Sequence, residues 1–168
     1  MALILNEQQI QQKIKRLAIE ILEQNHDEPE VYLIGINNNG LGFAQMLLNA
    51  INSIQVAKPI FHLTQVMLNP AAPLAKAVEI KTPLEELENK ALIFVDDVAN
   101  TGRTIFYAMQ PVLLDIVPKK VEVAVLVDRK HKSFPISINY VGLSLATTLS
   151  ENIEVQIREV EAMAVYLN

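Results

Sequence analysis

The sequence predicts an α/β fold in which an open, mainly parallel, twisted sheet is flanked by helices. Three short and nearly continuous apolar runs, residues 31–36, 91–95 and 121–127, have the character of strands buried on both faces. Stretches with helical spacing alternate with them, and the links between the two are short. This alternation favours parallel pairing with right-handed crossovers, and therefore an open sheet of this class.

The first predicted element is an amphipathic helix over residues 7–25. Its apolar residues recur at helical spacing, and most of its charged residues fall on the opposite side. Asn6 is placed to cap the first turn, and Gln9, three residues later, completes the pattern of a capping box.

A strand followed by a helix is predicted next. Residues 31–36 form the strand, Asn37, Asn38, Asn39 and Gly40 form a turn, and a second helix runs from about residue 41 to residue 51.

A hairpin follows this unit. A strand at residues 60–67 and a return strand near residues 75–80 form its two arms. Between them, residues 69–73 contain two prolines and small residues, which exclude regular pairing and predict a mobile loop.

The second half of the chain repeats the strand and helix pattern. A turn over residues 83–89 leads into the strand at 91–95, which ends at Asp96 and Asp97, and a helix from about residue 102 to residue 117 follows. We expect the C-terminal third to form shorter strands, which together with the other end of the chain make a small hood over the sheet. These strands lie around residues 140–142, 154–158 and 164–167.

Length and composition indicate one soluble, cytoplasmic domain over residues 1–168. The chain is 51% hydrophobic, which is enough to build a core, and no apolar stretch approaches the ~20 residues of a membrane span. The formal net charge of −5 argues against a broad nucleic-acid surface. Cysteine is absent, and neither His26 nor His62 has partners at metal-ligand spacing, so we predict no metal-ligand residues in this chain.

The residues that carry chemistry follow the strand at 91–95. Ligands of open α/β sheets bind outside the carboxyl ends of the strands, and Asp96 and Asp97 lie at such an end. Two adjacent carboxylates can accept hydrogen bonds from neighbouring ribose hydroxyls. The segment that continues through Asn100, Thr101, Gly102, Arg103 and Thr104 enters a helix N-terminus, where backbone N–H groups attract phosphate.

Each half of this pattern also has a purely structural interpretation. Asp96 and Asp97 would then be a polar strand end, and Thr101 an ordinary helix cap. Either half alone is weak evidence for a ligand site. The two halves together, on a strand that leads into a helix, predict a site for a ribose 5-phosphate.

With its apolar strand, paired aspartates and Thr-Gly-Arg-Thr turn, the segment over residues 92–104 resembles the signature of type I phosphoribosyltransferases. The resemblance extends over nearly the whole chain to the bifunctional pyrimidine-operon attenuator and uracil phosphoribosyltransferase family. Further landmarks in that family's order lie at residues 4–8, 33–36, 124–131, 134–136, 140–142, 150–151 and 155–159.

This resemblance implies transfer of ribose 5-phosphate from phosphoribosyl diphosphate to a nucleobase, uracil above all, with Mg²⁺ bound and pyrophosphate released. It implies a homodimer, which the apolar face of the first helix also favours, and it makes RNA a possible partner. By resemblance Asp96 and Asp97 hold the ribose, residues 37–40 form the pyrophosphate loop, and Asp128 and Arg129 lie beside the base. The 5-phosphate cradle comprises Val98, Ala99, Asn100, Thr101, Gly102, Arg103 and Thr104.

Two loops differ from the family pattern. The pyrophosphate loop usually carries a Lys and an Arg, whereas this chain has three asparagines at residues 37–39, and residues 68–72 lack the usual charges of the mobile loop. Lys76 is the nearest candidate replacement. An alternative function therefore stays open, in which the protein binds a nucleotide without efficient transfer and acts as a regulator, for example of pyrimidine genes through RNA.

Overall fold

The computed structural model describes residues 1–54 and 57–168. Its elements alternate between strands and helices along most of the chain. In chain order they are β1 (Ala2–Asn6), α1 (Glu7–Gln24), β2 (Glu30–Ile36), α2 (Asn37–Ser53), β3 (Ile60–Met67), β4 (Glu79–Ile80), α3 (Leu84–Leu87), β5 (Ala91–Ala99), α4 (Arg103–Ala108), α5 (Gln110–Asp115), β6 (Lys120–Arg129), β7 (Tyr140–Leu145), β8 (Ile153–Gln156) and β9 (Ala164–Leu167).

The strands form two sheets. The larger has the order β4-β3-β2-β5-β6-β7, and all of its pairs are parallel except the antiparallel pair of β3 with β4. The smaller sheet joins the two ends of the chain in the antiparallel order β1-β9-β8. The predicted fold class, an open and mainly parallel sheet flanked by helices, is therefore confirmed.

Helices cover both faces of the larger sheet. On one face, α1 and α2 bury a core that includes Ile21, Phe43 and Leu47. On the other face, Leu87 of α3 and Val112 of α5 pack with the strands in a second core. Because β2 and β5 are apolar on both faces, their sequences appear as continuous hydrophobic runs.

The beginning of α1 agrees with the sequence prediction. Asn6 Oδ1 accepts a hydrogen bond from Gln9 N, and Asn6 N donates to Gln9 Oε1, each at 2.9 Å. The apolar face of α1 is buried in the core of this chain, so it does not provide the exposed dimer surface that the sequence suggested.

Three element boundaries differ from their predictions. Residues 37–40, predicted as a turn, are the first turn of α2, and β5 continues through Asp96 and Asp97 because it stays paired with β6 as far as Ala99. The predicted helix at 102–117 is divided into α4 and α5 at Met109. Pro111 accounts for this break, since it has no N–H to donate and its ring crowds the preceding turn.

Three further differences concern the strands. Residues 2–6 form β1, which was not predicted as a strand, and the return arm of the hairpin shortens to Glu79–Ile80. Residues 140–145 form an edge strand of the larger sheet and do not belong to the hood. Along residues 1–54 and 57–168, none of the helices combines the length and the apolarity that crossing a bilayer requires.

Candidate functional site

A cleft of about 560 Å³ opens where the carboxyl ends of two adjacent parallel strands, β2 and β5, meet the first turn of α2. The smaller sheet contributes to one side of the cleft. The walls of the cleft are formed by Ile36, Asn37, Asn38, Asn39, Pro70, Asp96, Asp97, Val98, Asn100, Thr104, Ile153 and Arg158. The structure therefore brings the asparagine turn and the paired aspartates, which lie far apart in sequence, to one place.

The two aspartates differ in environment although both line the cleft. Asp96 is only 8% exposed, and its Oδ1 accepts a hydrogen bond from Asp97 N at 2.9 Å. Burial raises the pKa of Asp96 well above its ordinary range, and the neighbouring charge of Asp97 raises this pKa further. Asp97 is more exposed, and its Oδ1 accepts from Val98 N at 2.9 Å. The pair thus offers one buried and one more exposed carboxyl group to a sugar diol.

Gly40 allows the first turn of α2 to lie directly on β5. A Cβ atom at this position would be 2.4 Å from the carbonyl oxygen of Val95 and 3.4 Å from Asp96 Oδ1. No real side chain tolerates the first of these distances. Gly40 is therefore required by the close approach that places the N-terminus of α2 beside Asp96.

The three asparagines at the start of α2 each make one specific hydrogen bond. Asn37 Oδ1 accepts from Leu68 N at 3.0 Å, and Asn38 Oδ1 accepts from Gln65 Nε2 at 3.2 Å. Asn39 Nδ2 donates to Asp97 Oδ2 at 3.1 Å. The amides therefore join α2 to β3 and to β5, and Asn39 orients one of the two carboxylates.

The turn after β5 forms a second, smaller recess of about 40 Å³. Gly102 adopts φ +86°, a left-handed conformation that side chains other than glycine rarely adopt. The carbonyl oxygen of Thr101 accepts hydrogen bonds from Ser133 N at 2.9 Å and from Phe134 N at 3.2 Å, which hold the turn in place. The recess is lined by Asp96 and by residues 98–105.

The recess and the cleft are contiguous because Asp96, Val98, Asn100 and Thr104 line both. Helix α4, which follows the turn, has only six residues, so attraction for an anion comes from N–H groups of the turn itself. A group with hydroxyls at one end and a phosphate at the other would span the two spaces.

Asp128 and Arg129 are not among the residues that line the cleft or the recess. Asp128 is paired with Lys132 at 2.5 Å. Arg129 Nη1 donates to Asn100 Oδ1 at 3.2 Å, and its Nε donates to Thr147 Oγ1 at 2.7 Å. Arg129 thus connects the turn to the segment after β7.

The sequence analysis missed the basic residue of the cleft. Arg158 lies just beyond β8 and lines the cleft. No local pattern marks it, because it lies more than a hundred residues from the asparagines that it faces. Lys76, the candidate replacement cation, instead lines two pockets beside the hairpin.

Comparison with known proteins identifies relatives along almost the whole chain. The sequence profile of the phosphoribosyl transferase domain matches residues 2–160. A protein of Bacillus pumilus (strain SAFR-032) named "Bifunctional protein PyrR" is 35% identical over an alignment of 170 positions, which covers 95% of this chain and 92% of the relative. A protein of the same name from Bacillus velezensis (strain FZB42) is 34% identical over an alignment of 182 positions, which covers 99% of this chain and 97% of the relative.

Solved structures share the fold at lower sequence identity. A hypoxanthine phosphoribosyltransferase of Trypanosoma cruzi superposes with a TM-score of 0.76 at 18% identity, covering 98% of this chain and 95% of the other. A hypoxanthine-guanine phosphoribosyltransferase of Bacillus anthracis gives a TM-score of 0.74 at 18% identity, covering 98% and 96%. These similarities concern the fold alone.

Proposed function

This chain belongs to the phosphoribosyltransferase family, and from that premise we propose that it transfers ribose 5-phosphate from phosphoribosyl diphosphate to a nucleobase, with release of pyrophosphate. Uracil is the proposed base, on the resemblance to uracil phosphoribosyltransferases. The observation that carries the proposal is the continuity of the aspartate cleft with the recess at residues 98–105.

The proposal assigns a role to each part of this site. Asp96 and Asp97 hold the two ribose hydroxyls, and the turn at residues 98–104 holds the 5-phosphate through backbone N–H groups and threonine hydroxyls. The first turn of α2, at residues 37–40, faces the diphosphate. Asp128 and Arg129 border the base side, where Arg129 positions Asn100.

The reaction breaks the bond between ribose C1 and the pyrophosphate oxygen, which takes the electron pair. A ring nitrogen of the base forms the new bond to C1 and loses its proton. By resemblance, Asn100 takes the position where some relatives have an acidic base. An amide cannot take up the proton, so the proton passes to solvent. The protein therefore contributes mainly by positioning the two reactants and by stabilising charge on the departing pyrophosphate.

The residues present fit a Mg²⁺ ion that arrives with the donor. Mg²⁺ prefers oxygen ligands and usually keeps several waters while it binds one or two carboxylates and substrate phosphates. Asp96 and Asp97 are such carboxylates, whereas residues 1–54 and 57–168 contain no group of three or more His, Cys, Asp or Glu side chains that could hold a metal alone. When bound, the ion would supply positive charge to the diphosphate.

A nucleobase panel assayed with phosphoribosyl diphosphate and MgCl₂ is expected to give pyrophosphate release with uracil and little with purines. Excess chelator is expected to reduce the rate at least ~100-fold, because charge neutralisation of the leaving group is worth several kcal/mol. Pyrophosphate release is measured with a coupled phosphatase assay. Absence of turnover with every common nucleobase would contradict the proposed activity.

The alternative is a regulator that binds a nucleotide without transferring its ribose phosphate. It is favoured by the uncharged asparagines at the start of α2 and by the uncharged residues 68–72, of which Pro70 lines the cleft. Calorimetry would then show binding of uridine monophosphate but little affinity for phosphoribosyl diphosphate. Tight, magnesium-dependent binding of the donor would exclude this alternative.

RNA and a second copy of the chain are further proposed partners, both on the basis of resemblance. Regulation of pyrimidine genes would require retardation of a pyrimidine-leader RNA at low salt, and failure to retard any such RNA would remove this role. A homodimer would be seen in sedimentation, where a monomer at micromolar concentration would contradict it.

A further inference from the structure

Of the described residues that line the cleft, one is basic, and it is Arg158. The other described residues of the cleft walls are four asparagines, two aspartates, one threonine and apolar side chains. A diphosphate bound here would carry several negative charges next to Asp96 and Asp97, so it requires a nearby cation. Arg158 is therefore the first residue to consider for that role.

The stem of Arg158 crosses α2 at Gly42. A Cβ atom at Gly42 would lie 2.8 Å from Arg158 Cδ and 2.9 Å from its Cγ. Gly42 is three residues beyond Asn39 and four beyond Asn38, and residues at these spacings share one face of a helix. Arg158 thus lies over the same face of α2 whose first turn lines the cleft.

The guanidinium group of Arg158 keeps most of its hydrogen-bonding capacity. Among the described residues, its only charged partner is Glu159, whose Oε1 is 4.0 Å from Arg158 Nη2 and whose side chain is 89% exposed. A pair of this length at the surface contributes little. A planar guanidinium with unused donors is well suited to bind two oxygens of a phosphate at once.

We propose that Arg158 binds the diphosphate of phosphoribosyl diphosphate and stabilises the pyrophosphate that leaves. This inference rests on the proposed transferase function and adds a donor-binding residue to it. The cation comes from the link between β8 and β9, whereas the α2 turn provides only amides and backbone N–H groups. As the bond from ribose C1 breaks, Arg158 balances the charge gained by the departing oxygen.

The test compares Arg158→Met with Arg158→Lys and with the control Arg16→Met, which changes an exposed arginine on α1. Calorimetry measures the Kd for phosphoribosyl diphosphate and for pyrophosphate, both with Mg²⁺, and for uridine monophosphate. Arg158→Met is expected to weaken binding of phosphoribosyl diphosphate and of pyrophosphate by about 10- to 100-fold, which corresponds to the loss of a charge-assisted contact. Uridine monophosphate should bind within about twofold of the unaltered protein, since it lacks the diphosphate.

Arg158→Lys is expected to recover part of the lost affinity, and Arg16→Met should change none of the three constants. Gly42→Ala provides a second approach, because its methyl group displaces the arginine stem while α2 keeps its length. It should weaken binding of the donor and of pyrophosphate, but not of the monophosphate.

The outcomes separate this inference from the proposed function. If the unaltered protein binds the donor, pyrophosphate and the monophosphate, and Arg158→Met does so equally well, the role of Arg158 is overturned and the transferase site stands. If the unaltered protein binds the monophosphate but neither the donor nor pyrophosphate, the role of Arg158 and the transfer reaction are both overturned.

Discussion

Replacement of both Asp96 and Asp97 by asparagine is expected to abolish binding of ribose 5-phosphate esters while the fold survives. The two carboxylates are the acceptors that the cleft offers to a ribose diol, and each charge-assisted hydrogen bond contributes ~1.5–3 kcal/mol. Loss of both should weaken binding of uridine monophosphate by about 100-fold or more. Calorimetry measures the affinity, and circular dichroism verifies the fold.

The matched control is Asp115→Asn, which removes an exposed carboxylate at the end of α5. It should leave the affinity unchanged. Unaltered affinity in the double variant would contradict the assignment of Asp96 and Asp97 to the ribose.

The single change Asp96→Asn should also stabilise the protein at neutral pH. Burial raises the pKa of Asp96 in the folded chain, so between the unfolded pKa of ~3.9 and the folded pKa the native state binds more protons than the unfolded state. The stability of the unaltered protein therefore falls as pH rises through this window, whereas asparagine cannot ionise.

The difference in Tm between Asp96→Asn and the unaltered protein should be near zero below about pH 4 and positive at pH 7. Scanning calorimetry across this range measures it. If the variant were less stable than the unaltered protein at pH 7, this prediction would be wrong. The favourable contacts of the Asp96 side chain would then outweigh the free-energy cost of burying it. A gain in stability at the expense of binding would indicate that the carboxylate is kept for function.

Gly102→Val is the change with the second largest expected effect. The left-handed φ of +86° is costly for a β-branched residue, and a Cβ atom would be 3.2 Å from two side-chain atoms of Ile136. The turn must therefore change shape, and we expect a loss of ~2–3 kcal/mol in unfolding free energy together with at least ~100-fold weaker binding of phosphate esters. Urea denaturation and calorimetry measure the two effects.

Gly102→Asn is the comparison variant, because asparagine tolerates the left-handed region better than valine does. It should give intermediate losses of both stability and affinity. Normal affinity for a phosphate ester in Gly102→Val would show that the turn at residues 98–104 is not the phosphate cradle.

Much of the fold was predictable because its signals are local. The apolar runs of β2, β5 and β6 and the capping box of Asn6 with Gln9 depend on residues close together in sequence. The break at Met109 was missed although Pro111 marks it, since the helical pattern continues on both sides of the proline. The start of α2 at Asn37 was missed because its amide bonds to β3 and β5 cannot be seen from the turn itself.

By itself the sequence determined the alternation of strands and helices through the middle of the chain, the fold class, and the bend from strand to helix with its aspartates and Gly102. These features follow from spacing and backbone preference within a few residues. Only the tertiary structure decided that Asp96 is buried, that β1 pairs with β9, and that Arg158 faces the first turn of α2. The physical reason is that each depends on segments that are remote in sequence, which meet only when the parallel sheet is assembled and the two chain ends join beside it.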